Sequence, residues 1–285
     1  MIEWLVEPFG YGFMRTALWC CALVGAVCGF LSAYLMLKGW SLIGDALSHS
    51  VVPGVAGAYI LGLPYSLGAF IAGFLAAGAM LFINQRSRLK QDAVIGLIFT
   101  GFFGAGLFMV SLSPTAVDVQ TIVFGNVLAI APGDALQLLI ISLIAFAVLL
   151  SCWRELLLVF FDEAHARTVG LNPTRLKLVF FSLLSACAVT ALMTVGAFLV
   201  IALVVTPGAT AYLLTDRFSR LLWLSTVIGA VTSAVGVYLS YFLNGSTGGV
   251  IVVLQSLLFL CAFCFAPKHG VLSAHRRALA PEAAP

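Results

Sequence analysis

Asp45 and His49 lie within the apolar run KGWSLIGDALSHSVVPGVAGAYILG. Ionisable groups at membrane depth are costly and mark ion pathways or polar cavities. Spaced i and i+4, the two project from one helix face, with Ser41 and Ser48 bordering the same stripe. A carboxylate oxygen and an imidazole nitrogen so placed form half of a coordination shell for a borderline or hard divalent cation such as Mn²⁺, Fe²⁺ or Zn²⁺. No thiolate or methionine cluster accompanies them, which argues against Cu⁺. One Asp leaves a divalent ion with excess positive charge, whereas two Asp and two His related by an axis along a pore neutralise it and supply four ligands. The other use of such a pair is an interhelical hydrogen bond that only positions helices. Pro53 adds a mechanical element, because its ring nitrogen cannot donate to the carbonyl of His49. That carbonyl is free to join a coordination shell, or marks a kink at which the helix bends during gating.

The elements that must carry the pair follow from composition. Hydrophobic residues make up 62% of the chain and charged residues 9%, with a mean hydropathy of +1.13, which excludes an ordinary soluble domain and makes the bilayer the main solvent. A bilayer core takes about 20 apolar residues as a helix. Apolar runs at 13–37, 41–61, 65–83, 93–112, 135–152, 178–195, 197–214, 221–243 and 249–266 predict an all-α, polytopic membrane protein of eight to nine spanning helices. The stretch 178–214 would be about 55 Å long as one helix, so two spans meeting near Gly196 are expected. Asp45 and His49 are then the only carboxylate and imidazole inside a span. Residues 1–266 are read as one transmembrane domain and 267–285 as a flexible tail. The opening segment MIEWLVEPFGYGFMR has no basic leader or cleavage site, so the first span is expected to direct its own insertion.

Basic residues set the topology, because cytoplasmic loops hold an excess of Lys and Arg. Lys38, then Arg86, Arg88 and Lys90, then Arg154, Arg167, Arg175 and Lys177, then Arg217 and Arg220, then Lys268, Arg276 and Arg277 fall on one side; Arg15 alone is left over. The opposite loops, 62–64, 113–120 and 244–248, carry none. The N-terminus is therefore expected outside and the C-terminus in the cytoplasm of a cell bounded by an inner membrane. The net charge of +3 is a topology signal, and no basic patch with interleaved aromatics suggests nucleic acid.

Two loops are more than connectors. Outside, SPTAVDVQTIVFGNVLAIAPGD holds a short apolar core suited to a half-helix or re-entrant element. Inside, RELLLVFFDEAHARTVGLNPTRLK contains a short helix opening at Asp162 and Glu163 and closing at Gly170, with Asn172 and Pro173 as stop signals. A helix there, at about 162–172, is something an external partner can grip. Thr206, Pro207 and Gly208 are expected to break or kink the seventh span as a packing feature. The seven cysteines sit in apolar runs as small hydrophobes, and the Cys261/Cys264 spacing has no second pair to make a metal or redox site. His165, beside Asp162, is read as a solvated or contact residue, and His269 and His275 belong to the tail, where nothing beyond their presence supports a metal-sensing role.

Taken together, GDALSHSVVPGVAGAYILG, VDVQTIVFGNVLAI, DEAHARTVGLNP and VGAFLVIALVVTPGATAYLLT resemble the permeases of the zinc/manganese/iron (metal-chelate) family of ABC importers, in wording nearest the chelated-iron and manganese branch. The resemblance covers nearly the whole chain. It implies a type II-like importer fold and a permease dimer, of two copies or of this chain with a paralogue. It also implies two cytoplasmic ATP-binding subunits and a periplasmic metal-binding protein. The ion-coordinating Asp and His of the family's second span fall on Asp45 and His49. Its coupling helix falls on Asp162 to Gly170, with Ala164, Ala166 and Gly170 as the small surface that docks in an ATPase groove. No G-x-x-x-x-G-K-[ST] phosphate loop occurs, so ATP hydrolysis belongs to a separate chain and this one is not an enzyme.

The resulting expectation is import of Fe²⁺ or Mn²⁺, with Zn²⁺ the further candidate, by alternating access and with no permanently bound cofactor. A siderophore or other chelate would need a wide, largely apolar path, whereas an Asp/His pair suits a bare ion. A proton-coupled secondary carrier leaves the DEAHART helix without a purpose. An intramembrane metalloenzyme would want an HExxH-type motif, and none occurs.

Overall fold

The computed structural model describes residues 2–40, 42–112, 127–266 and 270. These residues form α1 (Ile2–Gly10), α2 (Gly12–Lys38), α3 (Ile43–Ser50), α4 (Val52–Leu61), α5 (Tyr65–Arg86), α6 (Gln91–Leu112), α7 (Pro132–Phe161), α8 (Glu163–Thr168), α9 (Pro173–Val195), α10 (Ala197–Leu214), α11 (Phe218–Leu243) and α12 (Thr247–Phe265). A 3₁₀ turn, Val127–Ala129, precedes α7. Among the described residues seven helices, α2, α5, α6, α7, α9, α11 and α12, are long and apolar enough to cross a membrane. The two remaining expected spans take other forms: α10 is shorter, and the second run is divided between α3 and α4.

α2 is the central post, packing most extensively on α11 and then on α10. Its contact with α11 depends on missing side chains. A Cβ at Gly25 would stand 2.2 Å from the carbonyl oxygen of Gly229, and one at Gly229 would stand 2.1 Å from that of Gly25. Such small-residue crossings let backbones approach where lipid supplies no hydrophobic drive between helices. Tyr34, fully buried near the end of α2, donates its hydroxyl to the Trp153 carbonyl at 2.9 Å. Its ring meets Phe160, Phe180 and Phe218 edge-on at 5.0 to 5.7 Å, which ties α2 to α7, α9 and α11 through favourable aromatic geometry.

α9 and α10 meet at Gly196 as expected, where φ 86° and ψ 157° suit glycine. Pro207 does not interrupt α10, which runs through it as one element. A neighbouring helix supplies the reason. Ser32 of α2 donates its hydroxyl to the Val205 carbonyl at 3.1 Å and accepts the Gly208 N–H at 3.0 Å, so backbone groups on both sides of the proline are held from outside α10.

Several elements extend past the sequence reading. α1 precedes the first span, with Phe9 stacked on Tyr238 at 5.7 Å. α7 continues through Arg154 and Glu155 to Phe161 because Leu156, Val159 and Phe160 bury in the main core. Asn172 and Pro173 open a helix rather than close one: the Asn172 side chain accepts the Arg175 N–H at 3.2 Å and Pro173 takes the first turn of α9. Most of the loop between α6 and α7, residues 113–126, where a half-helix or re-entrant element is expected, and nearly all of the tail lie outside the described residues.

Candidate functional site

The second run folds as two short helices because its local chemistry competes with one continuous ladder. Ser48 and Ser50 donate to the carbonyls of Gly44 and Ala46, at 2.9 and 2.6 Å, back-bonds that weaken and bend helices. Pro53, in the first turn of α4, offers no N–H to the carbonyl of His49. The division falls at Val51, which keeps helical dihedrals (φ −73°, ψ −24°), so the chain is interrupted without reversing. Pro53 itself lies against Gly106 of α6, where an added Cβ would sit 2.8 Å from its ring nitrogen.

Ile43, Ala46 and Leu47 bury one side of α3 in the main core. Asp45 and His49 share the other side. His49 Nε2 lies 3.4 Å from Asp45 Oδ1, with the side chains 31% and 43% exposed respectively. That separation is long for a strong hydrogen bond. Among the described residues neither side chain has a hydrogen-bonding partner on another helix, so within them the pair clamps no neighbouring helix. Ser48 is buried and committed to its own helix, while Ser41 lies outside the described residues. The walls are aromatic: His49 meets Phe99 and Phe103 of α6 at 5.5 Å each, with ring planes 64° and 75° apart. Phe99 and Phe103 stack on each other at 6.0 Å.

The depth of the pair was hidden in sequence. Asp45 is two residues into α3, so it and His49 lie roughly 3 and 9 Å along the helix from Ile43, while roughly 18 Å separate His49 from the far end of α4. The pair is thus nearer the end where basic residues gather. There Lys38, Asn84, Arg86, Glu163, Arg167 and Lys177 line a cleft of about 480 Å³. At the opposite end Tyr65, Ser66, Asp134, Gln137, Thr190 and Thr194 line a polar cavity of about 250 Å³. Sequence reading missed that cavity, because its polar residues come two at a time from the ends of α5, α7 and α9, which are far apart in the chain.

No group of three or more His, Cys, Asp or Glu side chains able to hold a metal occurs among the described residues. Asp45 and His49 therefore offer one oxygen and one nitrogen donor, half of what a tetrahedral site requires. The half-open position of the pair leaves room for donors from outside the chain. Beside it α6 is poorly covered, with Leu97 61% and Phe108 63% exposed.

α8 is a built element. Asp162 caps it, accepting the His165 N–H at 3.0 Å. Glu163 receives Arg167 at 2.9 Å and also Lys177 of α9. Burial alone would raise the Glu163 carboxyl, but the hydrogen bonds and charges of Lys177 and Arg167 outweigh it and hold it below its usual range. Gly170, at φ +88°, lets the chain turn out of the helix, and Leu171 N–H returns to the Ala166 carbonyl at 3.0 Å. Of the expected docking residues, Asp162, Ala164 and Gly170 are exposed, but Ala166 is fully buried. That part of the expected surface is corrected: Ala166 faces the bundle, where only a small side chain lets α8 lie close, and Val169, 61% exposed, stands outward.

Residues 10–266 match the profile described as ABC 3 transport family. The chain is 64% identical over 277 residues to the chelated iron transport system membrane protein YfeC of Yersinia pestis, covering 97% of this chain and 94% of that one. It is 48% identical over 274 residues to the manganese transport system membrane protein MntB of a Synechocystis strain, covering 95% and 89%. Among solved structures, PsaBC from Streptococcus pneumoniae in complex with Fab superposes with a TM-score of 0.84 at 33% identity, covering 96% of this chain and 100% of that one.

Proposed function

The chain belongs to the ABC 3 transport family, and on that footing we propose that it is the transmembrane permease subunit of an ATP-driven importer of divalent iron or manganese. Relatives named for chelated iron and for manganese transport support the cargo class. One observation carries the mechanism: a carboxylate and an imidazole 3.4 Å apart, half-open on one helix face, with no third donor among the described residues. A second copy or a paralogous permease supplies the complementary pair, giving two carboxylates to neutralise a doubly charged ion and two imidazoles to favour a transition metal.

In this reading the basic end is cytoplasmic, so the N-terminus lies outside and all nine segments cross the membrane, the second as the α3–α4 pair. A periplasmic binding protein delivers the ion to the opposite end. The ion sheds water at Asp45 and His49 and leaves toward the basic end when two separate ATP-binding subunits move α8. Pro53 and the Val51 interruption give the site-bearing span a point of bending, and Pro207 gives α10 a second. Asp162, Glu163, Ala164 and Gly170 belong to the surface that meets the ATPase. The decisive measurement is uptake of radiolabelled Mn²⁺ and Fe²⁺, with chelated iron in parallel, by cells lacking other importers and carrying Asp45→Asn or His49→Ala at matched membrane levels. Undiminished uptake of the free ions removes the site assignment.

A further inference from the structure

Trp40 occupies the turn between α2 and α3, and its contacts reach every element that a moving α8 would have to influence. The turn is tightly made: Gly39 adopts φ 70°, and Trp40 N–H returns to the Leu35 carbonyl at 2.8 Å. The indole is 4% exposed, stacked on Phe181 at 5.4 Å and edge-on to Phe160 at 5.5 Å. Both rings are attached to α8. Phe160 stands in the last turn of α7, two residues before the Asp162 cap. Phe181 is one turn beyond Lys177, which pairs with Glu163. The indole Nε1–H donates to the Gln91 carboxamide oxygen, and Gln91 is the first residue of α6. Trp40 therefore joins the platform beneath α8 to α3, which carries Asp45 and His49, and to α6, whose Phe99 and Phe103 wall His49.

The seam beside this bond is loosely filled. A void of about 20 Å³ lies among Trp40, Ile43, Met80, Gln91, Val94 and Phe181. Close-packed interfaces resist small displacements, and a gap at a hydrogen-bonded junction lowers that resistance.

We infer that the Trp40–Gln91 bond is a positioning strut that conveys displacement of α8 to both helices forming the cation site. Trp40 and Gln91 do not touch the ion; they set the spacing of α3 and α6 around it. The inference rests on the importer reading above.

The test uses the whole transporter, permease with its ATP-binding subunits and binding protein, in proteoliposomes, and measures Mn²⁺ taken up per ATP hydrolysed. Gln91→Leu removes the acceptor, Trp40→Phe removes the donor but keeps an aromatic ring, and Gln91→Glu keeps an acceptor. The expected result is a loss of about tenfold in uptake per ATP for Gln91→Leu and for Trp40→Phe, a size typical of a coupling term. Gln91→Glu should stay within about twofold of the parent, and the double variant Trp40→Phe/Gln91→Leu should be no worse than either single one. An unchanged ratio in Gln91→Leu, equal loss in Gln91→Glu and Gln91→Leu, or additive losses would each overturn the strut. Should Trp40→Phe fail to assemble, the two Gln91 variants decide alone. Asp45→Asn, run in parallel, separates the two failures: its full activity discards the cation site, whereas its inactivity beside an unaffected Gln91→Leu discards only the strut.

Discussion

His49 Nε2 stands 3.4 Å from Asp45 Oδ1 on a helix face that the protomer leaves partly open. Two side chains packed only for stability would be buried against a neighbouring helix and bonded to it. Those of this pair are free to approach an ion, and their removal should harm transport far more than folding. Asp45→Asn and His49→Ala should each lower Mn²⁺ uptake by at least about tenfold, since even outer partners of metal ligands cost 10–100-fold. The purified variants should melt within about 2 °C of the parent, as expected for substitutions outside the core.

Ser32 predicts the opposite outcome. Its hydroxyl is fully buried and serves both Val205 and Gly208 beside Pro207. Ser32→Ala removes both bonds from the α2–α10 contact, a loss of about 1–2 kcal/mol. Thermal unfolding in detergent should show it, with uptake per folded molecule little changed.

The α2–α11 crossing tolerates no methyl group. At Gly229 an added Cβ would sit 2.1 Å from the Gly25 carbonyl oxygen, so Gly229→Ala should cost about 1–3 kcal/mol through forced separation of the helices. Reduced yield of folded protein and a lower melting temperature would be the readout. Gly133→Ala, where nothing lies within 4 Å of the added carbon, is the control.

Acid should loosen α8. The folded-state Glu163 carboxyl lies below its ordinary value near 4.5, so its contribution is fully present above that value and is lost as pH falls through the lower folded one. Protection factors for hydrogen exchange across 162–171, which correct for the slower intrinsic exchange in acid, should hold at neutral pH and fall in this acidic window. Glu163→Gln should exchange faster already at neutral pH and lose most of the acid dependence.

What the sequence made legible was whatever depends on near neighbours. The joint at Gly196 followed from helix length and glycine's freedom, and the shared face of Asp45 and His49 followed from helical spacing. The uninterrupted course of α10 did not, because the group that accommodates Pro207 is Ser32, 175 positions earlier in the chain. Ala166 was misplaced for a related reason: a small residue on a short polar helix suits a docking surface as well as a tight internal contact, and only the packing of α8 against α7 and α9 distinguishes them. The division at Val51 was half visible. Pro53 announced a disturbance, whereas the back-bonds of Ser48 and Ser50 put the interruption two residues earlier. The depth of the pair was invisible, since a hydropathy run has no scale of position across the bilayer.

That depth has an electrical meaning. In the orientation proposed above, with the basic end inside, a divalent ion arriving from the far end would pass the longer part of the α3–α4 span before it meets His49 and Asp45, and with it the larger share of the transmembrane voltage. Each elementary charge gains about 2.3 kcal/mol per 100 mV on a full crossing, so a divalent ion gains about twice that. On that reading, loading the site carries the larger share of the voltage dependence and release into the cytoplasm the smaller.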